Sequence, residues 1–206
     1  MYASNASLPF KKRKGSVATV PQVRKMIAAA EEMKHHLHTQ AAQNLPNTGF
    51  VSTVLTGITQ GNGVTQRIGG EVNVKAVEIN LVTTLGDATN IVRFILLKAR
   101  NWGTTAPTSN EVVSYASTGY GFMGTVDPFD KKAEFTVLYD SGPLPLSSSV
   151  PDRTIKIRLK KKWKIFFNSS STTDQKNGLY LYGWSDSVAA THPVVTFVSN
   201  VSYTDA

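Results

Sequence analysis

The chain has 206 residues, no cysteine and a formal net charge of +8. The absence of cysteine excludes disulfides, thiolate nucleophiles and cysteine-ligated zinc, and no window approaches the ~18 to 20 apolar residues of a membrane-spanning helix. A hydrophobic fraction of 41% is enough for a folded core. We therefore expect one large domain with an attached arm, made in the cytosol without secretion.

The excess positive charge is concentrated near the N-terminus. Residues 1–40 contain seven basic and two acidic side chains. The basic ones are Lys11, Lys12, Arg13, Lys14, Arg24, Lys25 and Lys34. A basic arm on a nearly neutral body is typical of a polyanion-binding tail, with nucleic acid favoured over anionic membrane; the alternative is a tail that only aids solubility. Residues 1–20 lack apolar periodicity, so a disordered arm is predicted, and residues 11–14 also fit the short pattern of a nuclear localisation signal.

Residues 21–38 have helical periodicity. Pro21 suits the first turn of a helix. Apolar residues then recur at three- and four-residue spacing, at Val23, Met26, Ile27, Ala30, Met33 and Leu37. This narrow stripe predicts an amphipathic helix that packs against copies of itself at least as well as against its own domain. Arg24, Lys25 and Lys34 lie off the stripe, where they are predicted to meet phosphates.

Three histidines, His35, His36 and His38, are predicted to end this helix. The helix dipole favours positive charge at that end, and the spacing of the three imidazoles matches no known metal site.

Strand patterns follow a linker predicted at residues 39–48. The predicted strands span 50–58, 71–85, 91–99, 135–139, 154–167, 179–184 and 194–203, with 154–167 forming either two strands or one long bent strand. In 71–85 the apolar parity changes, which predicts a β-bulge near Lys75 and Ala76. A long loop at 101–132 contains a short helix near 109–113, and 141–151 forms a Pro- and Ser-rich loop. The strand count predicts an all-β fold, an eight-stranded single jelly roll made of a two-sheet sandwich over residues 39–206.

Residues 59–72 contain four glycines in ten positions and lead into the second strand. No Lys-Ser or Lys-Thr pair follows and no helix pattern begins there, so an inter-strand turn is favoured over a phosphate-binding loop. A second basic run, Arg158, Lys160, Lys161, Lys162 and Lys164, is consistent with either a basic surface or a solvated strand face.

Catalytic motifs are absent from the sequence. His192 is the only histidine after residue 38, and no nucleophile elbow accompanies it. Tyr180, Tyr182 and Trp184 follow the strand pattern, which favours packing over base stacking. We therefore predict a scaffold protein and not an enzyme.

Several short landmarks in order resemble the coat proteins of the satellite tobacco necrosis virus family, and also the single jelly-roll capsids of circular single-stranded DNA viruses. The landmarks are Val-Arg-Lys-Met-Ile at 23–27, Gln-Gly at 60–61, Gln-Arg at 66–67, Asn-Trp-Gly-Thr-Thr at 101–105, Phe-Thr-Val-Leu-Tyr-Asp at 135–140 and Tyr-Thr-Asp-Ala at 203–206. The resemblance runs nearly from end to end.

The resemblance implies a capsid subunit that self-assembles into a T=1 icosahedral shell of 60 copies, with the arm and helix facing the interior and a single-stranded genome. Phosphate neutralisation does not distinguish RNA from DNA. The alternative is a non-capsid jelly-roll module that binds nucleic acid or carbohydrate.

The resemblance also implies structural calcium between subunits. Asp205 and Glu32 match carboxylate ligands of the family, while Ile68 and Glu71 match positions that offer backbone carbonyls. Oxygen ligands from separate segments suit Ca²⁺. Asn62 stands where the family pattern has an aspartate, which weakens a second site on the threefold axis.

Overall fold

A computed structural model describes residues 19–21, 32–114, 116–126, 134–188 and 191–206. The chain divides into two units, residues 1–31 and 32–206, and the account below concerns the second. Its strands are β1 (Lys34–Asn44), β2 (Phe50–Val51), β3 (Glu71–Thr84), β4 (Thr89–Ala99), β5 (Phe135–Asp140), β6 (Leu144–Ser147), β7 (Asp152–Leu159), β8 (Trp163–Phe167), β9 (Gln175–Lys176), β10 (Leu179–Ser185) and β11 (Val194–Asp205). A short helix, α1 (Ser109–Val112), and a 3₁₀ turn, Ala116–Thr118, lie between β4 and β5.

The strands form two antiparallel sheets. The first has the order β1-β11-β3-β8-β9, and β7 also pairs with β3; the second has the order β2-β10-β4-β5, and β6 also pairs with β4. Because β7 and β8 pair with successive parts of β3, they act as one interrupted strand, and β5 and β6 do the same along β4. Counting each such pair once and leaving out the two-residue β9, the described residues form two four-stranded sheets, with the first strand beside the last. This arrangement confirms the predicted jelly roll.

The core lies between the inner faces of the sheets. In β3, Val72 and Val74 face it, and after a change of parity Val77 and Ile79 do so as well. The pairing of β3 with β11 shifts register at this point, since Ala76 pairs with Ser202 and Val74 with Tyr203. Lys75 is therefore the extra residue, and the predicted bulge is confirmed.

Strand β4 is covered on both faces. A second apolar cluster on its outer side includes Leu97, Val112 of α1 and the aromatic residues of β10. Tyr182 and Trp184 are fully buried, and their rings stack with centroids 5.8 Å apart. These aromatic residues pack the fold, as predicted, and are not exposed for base stacking.

The prediction that the N-terminal helix extends to residue 38 is wrong. Residues 22–31 lie outside the described part of the chain, but Lys34 already begins β1, which pairs with β11. The predicted linker at 39–48 is also wrong, because β1 continues to Asn44. The jelly roll consequently begins at Lys34 and not at residue 39, and the three histidines lie in a strand.

Two smaller differences concern strand boundaries, and one alternative left open by the sequence is resolved. The strand predicted at 50–58 is regular only over Phe50–Val51. The loop predicted at 141–151 contains β6. The segment 154–167 is two strands, β7 and β8. In the described part of the chain no helix is long and apolar enough to span a bilayer.

The inward face of β1 contains two half-buried histidines. Burial lowers the pKa of His36 and His38, and the nearby His38 lowers that of His36 further. The His38 ring stacks on the core residue Phe197 with centroids 5.8 Å apart. The folded chain therefore favours neutral imidazoles at both positions.

Because these folded-state pKa values lie below the unfolded value of about 6.5, the unfolded chain binds more protons in acid. We expect subunit stability to be complete above that pH and to fall as the pH drops below it. Urea unfolding of dissociated subunits at neutral and acid pH measures this, and His36→Gln/His38→Gln should flatten the dependence. The matched control is His35→Gln, an exposed residue of the same strand. An equal flattening by the control would contradict the assignment.

Candidate assembly site around Arg67, Lys34 and Asp205

The glycine-rich stretch before β3 closes on itself through its backbone. The N–H of Gly61 donates to the carbonyl of Arg67 at 3.0 Å, and the N–H of Arg67 donates to Thr59 at 2.9 Å. Gln66 receives the N–H of Gly63 on its side-chain oxygen at 2.9 Å. A Cβ at Gly61 would lie 2.2 Å from that oxygen, so a larger residue there would displace the Gln66 side chain. The stretch is an ordered inter-strand loop, as predicted.

The side chain of Arg67 is fully buried beneath this loop. Its guanidinium donates to the carbonyl oxygens of Ile58 at 3.2 Å, Ser169 at 2.7 Å and Ser171 at 3.2 Å, and to that of Gly69. The guanidinium carbon also lies 4.1 Å from the centre of the Phe167 ring. One side chain thus joins the loop before β3 to the loop after β8.

The described partners of Arg67 are carbonyl dipoles and a π face. Burial lowers its pKa, although an arginine remains charged at any physiological pH. Four carbonyl oxygens therefore compensate a charge that has lost its water. A lysine could not reproduce the planar fork that reaches them together.

Next to Arg67, the two ends of the folded domain meet in an ion pair. The ammonium of Lys34 lies 2.7 Å from Oδ2 of Asp205 and donates to the carbonyl of Gln66 at 3.0 Å. The other carboxylate oxygen of Asp205 accepts the N–H of Ile68 at 2.8 Å. The Lys34 side chain is 3% exposed and that of Asp205 is 25% exposed. The ammonium of Lys34 is therefore not available to phosphates, contrary to its predicted place among the nucleic-acid-binding residues.

The residues predicted to bind calcium are only partly brought together. Asp205 and the backbone of Ile68 are in contact, but both oxygens of the Asp205 carboxylate already have partners. Glu71 pairs with Lys164 at 2.9 Å. Among the described residues no group of three or more His, Cys, Asp or Glu could hold a metal. Within a single chain this donor set does not fit a calcium ion, which requires six to eight oxygen ligands.

Sequence reasoning missed the roles of Lys34 and Tyr203. Tyr203 is fully buried beside Lys34 in the β1–β11 pairing. Burial, with the Asp205 carboxylate close by, raises the pKa of Tyr203 to about 12. No local pattern indicates this cluster, because its members come from opposite ends of the domain.

Arg67→Lys should lower the free energy of unfolding by about 2 to 4 kcal/mol, because several buried carbonyl groups would lose their donors. Urea unfolding measures the loss. Arg153→Lys is the matched control, since Arg153 is exposed, and it should change stability by no more than about 0.5 kcal/mol. A similar small effect at both positions would contradict the role of Arg67.

Asp205→Asn should lower the free energy of unfolding by roughly 2 to 3 kcal/mol, because the nearly buried ammonium of Lys34 loses its counter-charge. The loss is moderated because water reaches the Asp205 side of the pair. Glu78→Gln is the control, because it removes half of an exposed pair with Arg158 at 3.6 Å and should cost less than about 1 kcal/mol. Equal effects of the two variants in urea unfolding would mean that Lys34 is solvated.

The calcium prediction is tested with the same variants in assembled particles. Stabilisation by added Ca²⁺ that Asp205→Asn abolishes would support an ion at this carboxylate. If neither Ca²⁺ nor a chelator changes the stability of particles of the unaltered chain or of Asp205→Asn, the prediction of a calcium site is contradicted.

Comparison with known proteins places the chain in a family. A family model described as satellite tobacco necrosis virus coat protein matches residues 9–206. The capsid protein of satellite tobacco necrosis virus 1 is 29% identical over 144 residues, which are 69% of this chain and 69% of that protein. A solved chain of Desmodium yellow mottle tymovirus aligns with 100% of this chain and 94% of its own, at 12% identity and a TM-score of 0.40, a likeness too weak to carry an argument. Since the family model covers nearly the whole sequence, the chain belongs to the satellite tobacco necrosis virus coat protein family and is a viral capsid protein.

Proposed function

We propose that the chain assembles into a closed T=1 shell of 60 subunits and packages a single-stranded genome through its basic N-terminal arm. The observation that carries the packaging role is the charge of the arm. With Lys34 neutralised by Asp205, residues 1–33 retain six basic and two acidic side chains. The packaging residues are then Lys11, Lys12, Arg13, Lys14, Arg24 and Lys25.

Phosphate neutralisation is the mechanism in this proposal. Sixty arms with a net charge of +4 supply roughly 240 positive charges, enough to release counterions from a comparable number of phosphates. Such contacts need no base specificity, so either RNA or DNA suits them. Packaging should therefore weaken as the salt concentration rises.

Apolar surface around the Lys34–Asp205 pair supports self-assembly. Met33, Val64 and Ile68 are 50%, 72% and 57% exposed. Met33 precedes Lys34 in the chain, and the backbone of Ile68 binds Asp205. Exposed apolar side chains of this kind are suited to contact with a neighbouring subunit. Synthesis in the host cytoplasm and nuclear import through residues 11–14 belong to the same proposal.

Deletion of residues 1–20 should leave a folded subunit that forms closed shells and should reduce the packaged nucleic acid several-fold, because four of the six arm cations are lost. Electron microscopy reports the shells, and the ratio of absorbance at 260 and 280 nm reports the nucleic acid. Replacing residues 11–14 by glutamine is the matched control for charge without loss of length. Full packaging by both variants would refute the role of the arm, and failure to form any closed shell by the full chain would refute the capsid assembly.

A further inference from the structure

The excess positive charge of residues 41–206 is concentrated in one short segment. Residues 41–206 contain fifteen basic and twelve acidic side chains. Seven of the basic residues, and no acidic residue, lie between positions 153 and 164. The rest of the domain has eight basic against twelve acidic side chains, so it is net negative without this segment.

Most of these cations share the solvent face of the first sheet. Three of them, Lys156, Arg158 and Lys164, alternate with the inward residues Ile157 and Ile165. Their pairing partners on β3 are Asn80, Glu78 and Asn73. Lys160, Lys161 and Lys162 form the connection between β7 and β8, and all three are exposed. We call these six residues the basic strand face.

Nearby carboxylates neutralise only part of this charge. Arg158 faces Glu78 at 3.6 Å and Lys164 contacts Glu71 at 2.9 Å. Within the described residues no carboxylate lies within ion-pair distance of Lys156, Lys160, Lys161 or Lys162. Four cations are therefore left for a ligand.

Further cations stand close to the connection. The pKa of Lys98 is lowered by burial and then by the charges of Arg100 and Lys161. Near the end of β4, Lys98 is thus repelled by two other cations, one of them in the β7–β8 connection. Folding alone gains nothing from this arrangement, whereas an anion bound there would relieve the repulsion.

The surface between the basic strand face and β1 suits an extended polar ligand. Strands β11 and β3 separate β7 from β1, a width of roughly 14 Å at about 4.8 Å per strand. On the outward side of β3, Glu71 and Glu78 face Lys164 and Arg158. The other outward residues of the two strands are mostly short and uncharged, including Thr196, Asn200 and Asn80. A nucleic-acid strand could lie across them without meeting a row of carboxylates.

We propose that the basic strand face is a second phosphate-binding surface for the packaged single strand, separate from the N-terminal arm. The inference rests on the proposed function for the identity of its ligand. Its chemistry is sequence-independent neutralisation of phosphates by exposed lysine and arginine.

The test uses the quadruple variant Lys156→Gln/Lys160→Gln/Lys161→Gln/Lys162→Gln in the full chain and in the chain lacking residues 1–20. Dissociated subunits bind labelled oligo-dT and oligo-U of about thirty nucleotides at several salt concentrations. Each lost contact should lower the salt slope by about 0.7, so the variant should lose about 2 to 3 in slope in both backgrounds. The matched control replaces the same four lysines by arginine, which keeps the charge and should keep the slope. Unfolding midpoints confirm that each variant is folded.

Other outcomes separate this inference from the capsid function. An unchanged slope in folded glutamine variants would overturn the inference, even if the full chain forms shells and the arm deletion loses its genome. Loss of shell formation with unchanged oligonucleotide binding would also overturn it, because the face would then bind the acidic surface of another subunit. Lysine-dependent binding by a chain that never forms shells would support the surface while refuting the proposed capsid assembly.

Discussion

The buried guanidinium of Arg67 is the constraint on which the geometry of the candidate assembly site depends. Its neighbours Gln66 and Ile68 present a carbonyl and an N–H that bind Lys34 and Asp205. The buried side chain of Arg67 is held by carbonyl groups of two loops, at Ile58 before β3 and at Ser169 after β8. Without that anchor the loop would be free to move, and the two backbone groups would lose their alignment with the ion pair.

The jelly-roll topology brings the Lys34–Asp205 pair together. The first strand lies beside the last one, so Lys34 at the start of β1 is paired with Tyr203 near the end of β11. The ion pair therefore joins the start of β1 to the end of β11. The ammonium of Lys34 binds the carbonyl of Gln66, the residue before Arg67. A carboxylate balances the ammonium, and backbone dipoles balance the guanidinium. Burial, with the Asp205 carboxylate close by, raises the pKa of the Tyr203 phenol to about 12, so the phenol stays neutral even in mildly alkaline solution.

The parts of the fold that the sequence predicts are those in which apolar periodicity reflects burial. In β3 a change of parity was enough to predict both the strand and its bulge at Lys75. The sequence does not predict strand β1, because the inward residues of this strand are polar and show no apolar alternation. They are Lys34, His36, His38 and Gln40. Met33 and Leu37, four residues apart and both exposed, extended the helical pattern by chance.

The site was predictable only as a set of landmarks. The family resemblance singles out residues 66–67 and Asp205, but it does not predict the contacts that these residues make. The partners of Arg67 are backbone carbonyls, and every residue has one, so no residue type in the sequence marks them. Lys34, the partner of Asp205, lies at the far end of the domain, in a segment whose sequence pattern predicts a helix.

The charge distribution argues that the positive residues are there to bind and not merely to dissolve the protein. Charge that served only solubility would be spread over the surface, and either sign would do. Here it is divided between an arm and one strand face, while the rest of the jelly-roll domain is net negative. Burial lowers the pKa of Lys98, and the charges of Arg100 and Lys161 lower it further, so Lys98 is repelled by both neighbours in the free subunit. In the binding proposed above, a polyanion near Lys98 would relieve this repulsion, and the relief would favour the complex over the free subunit.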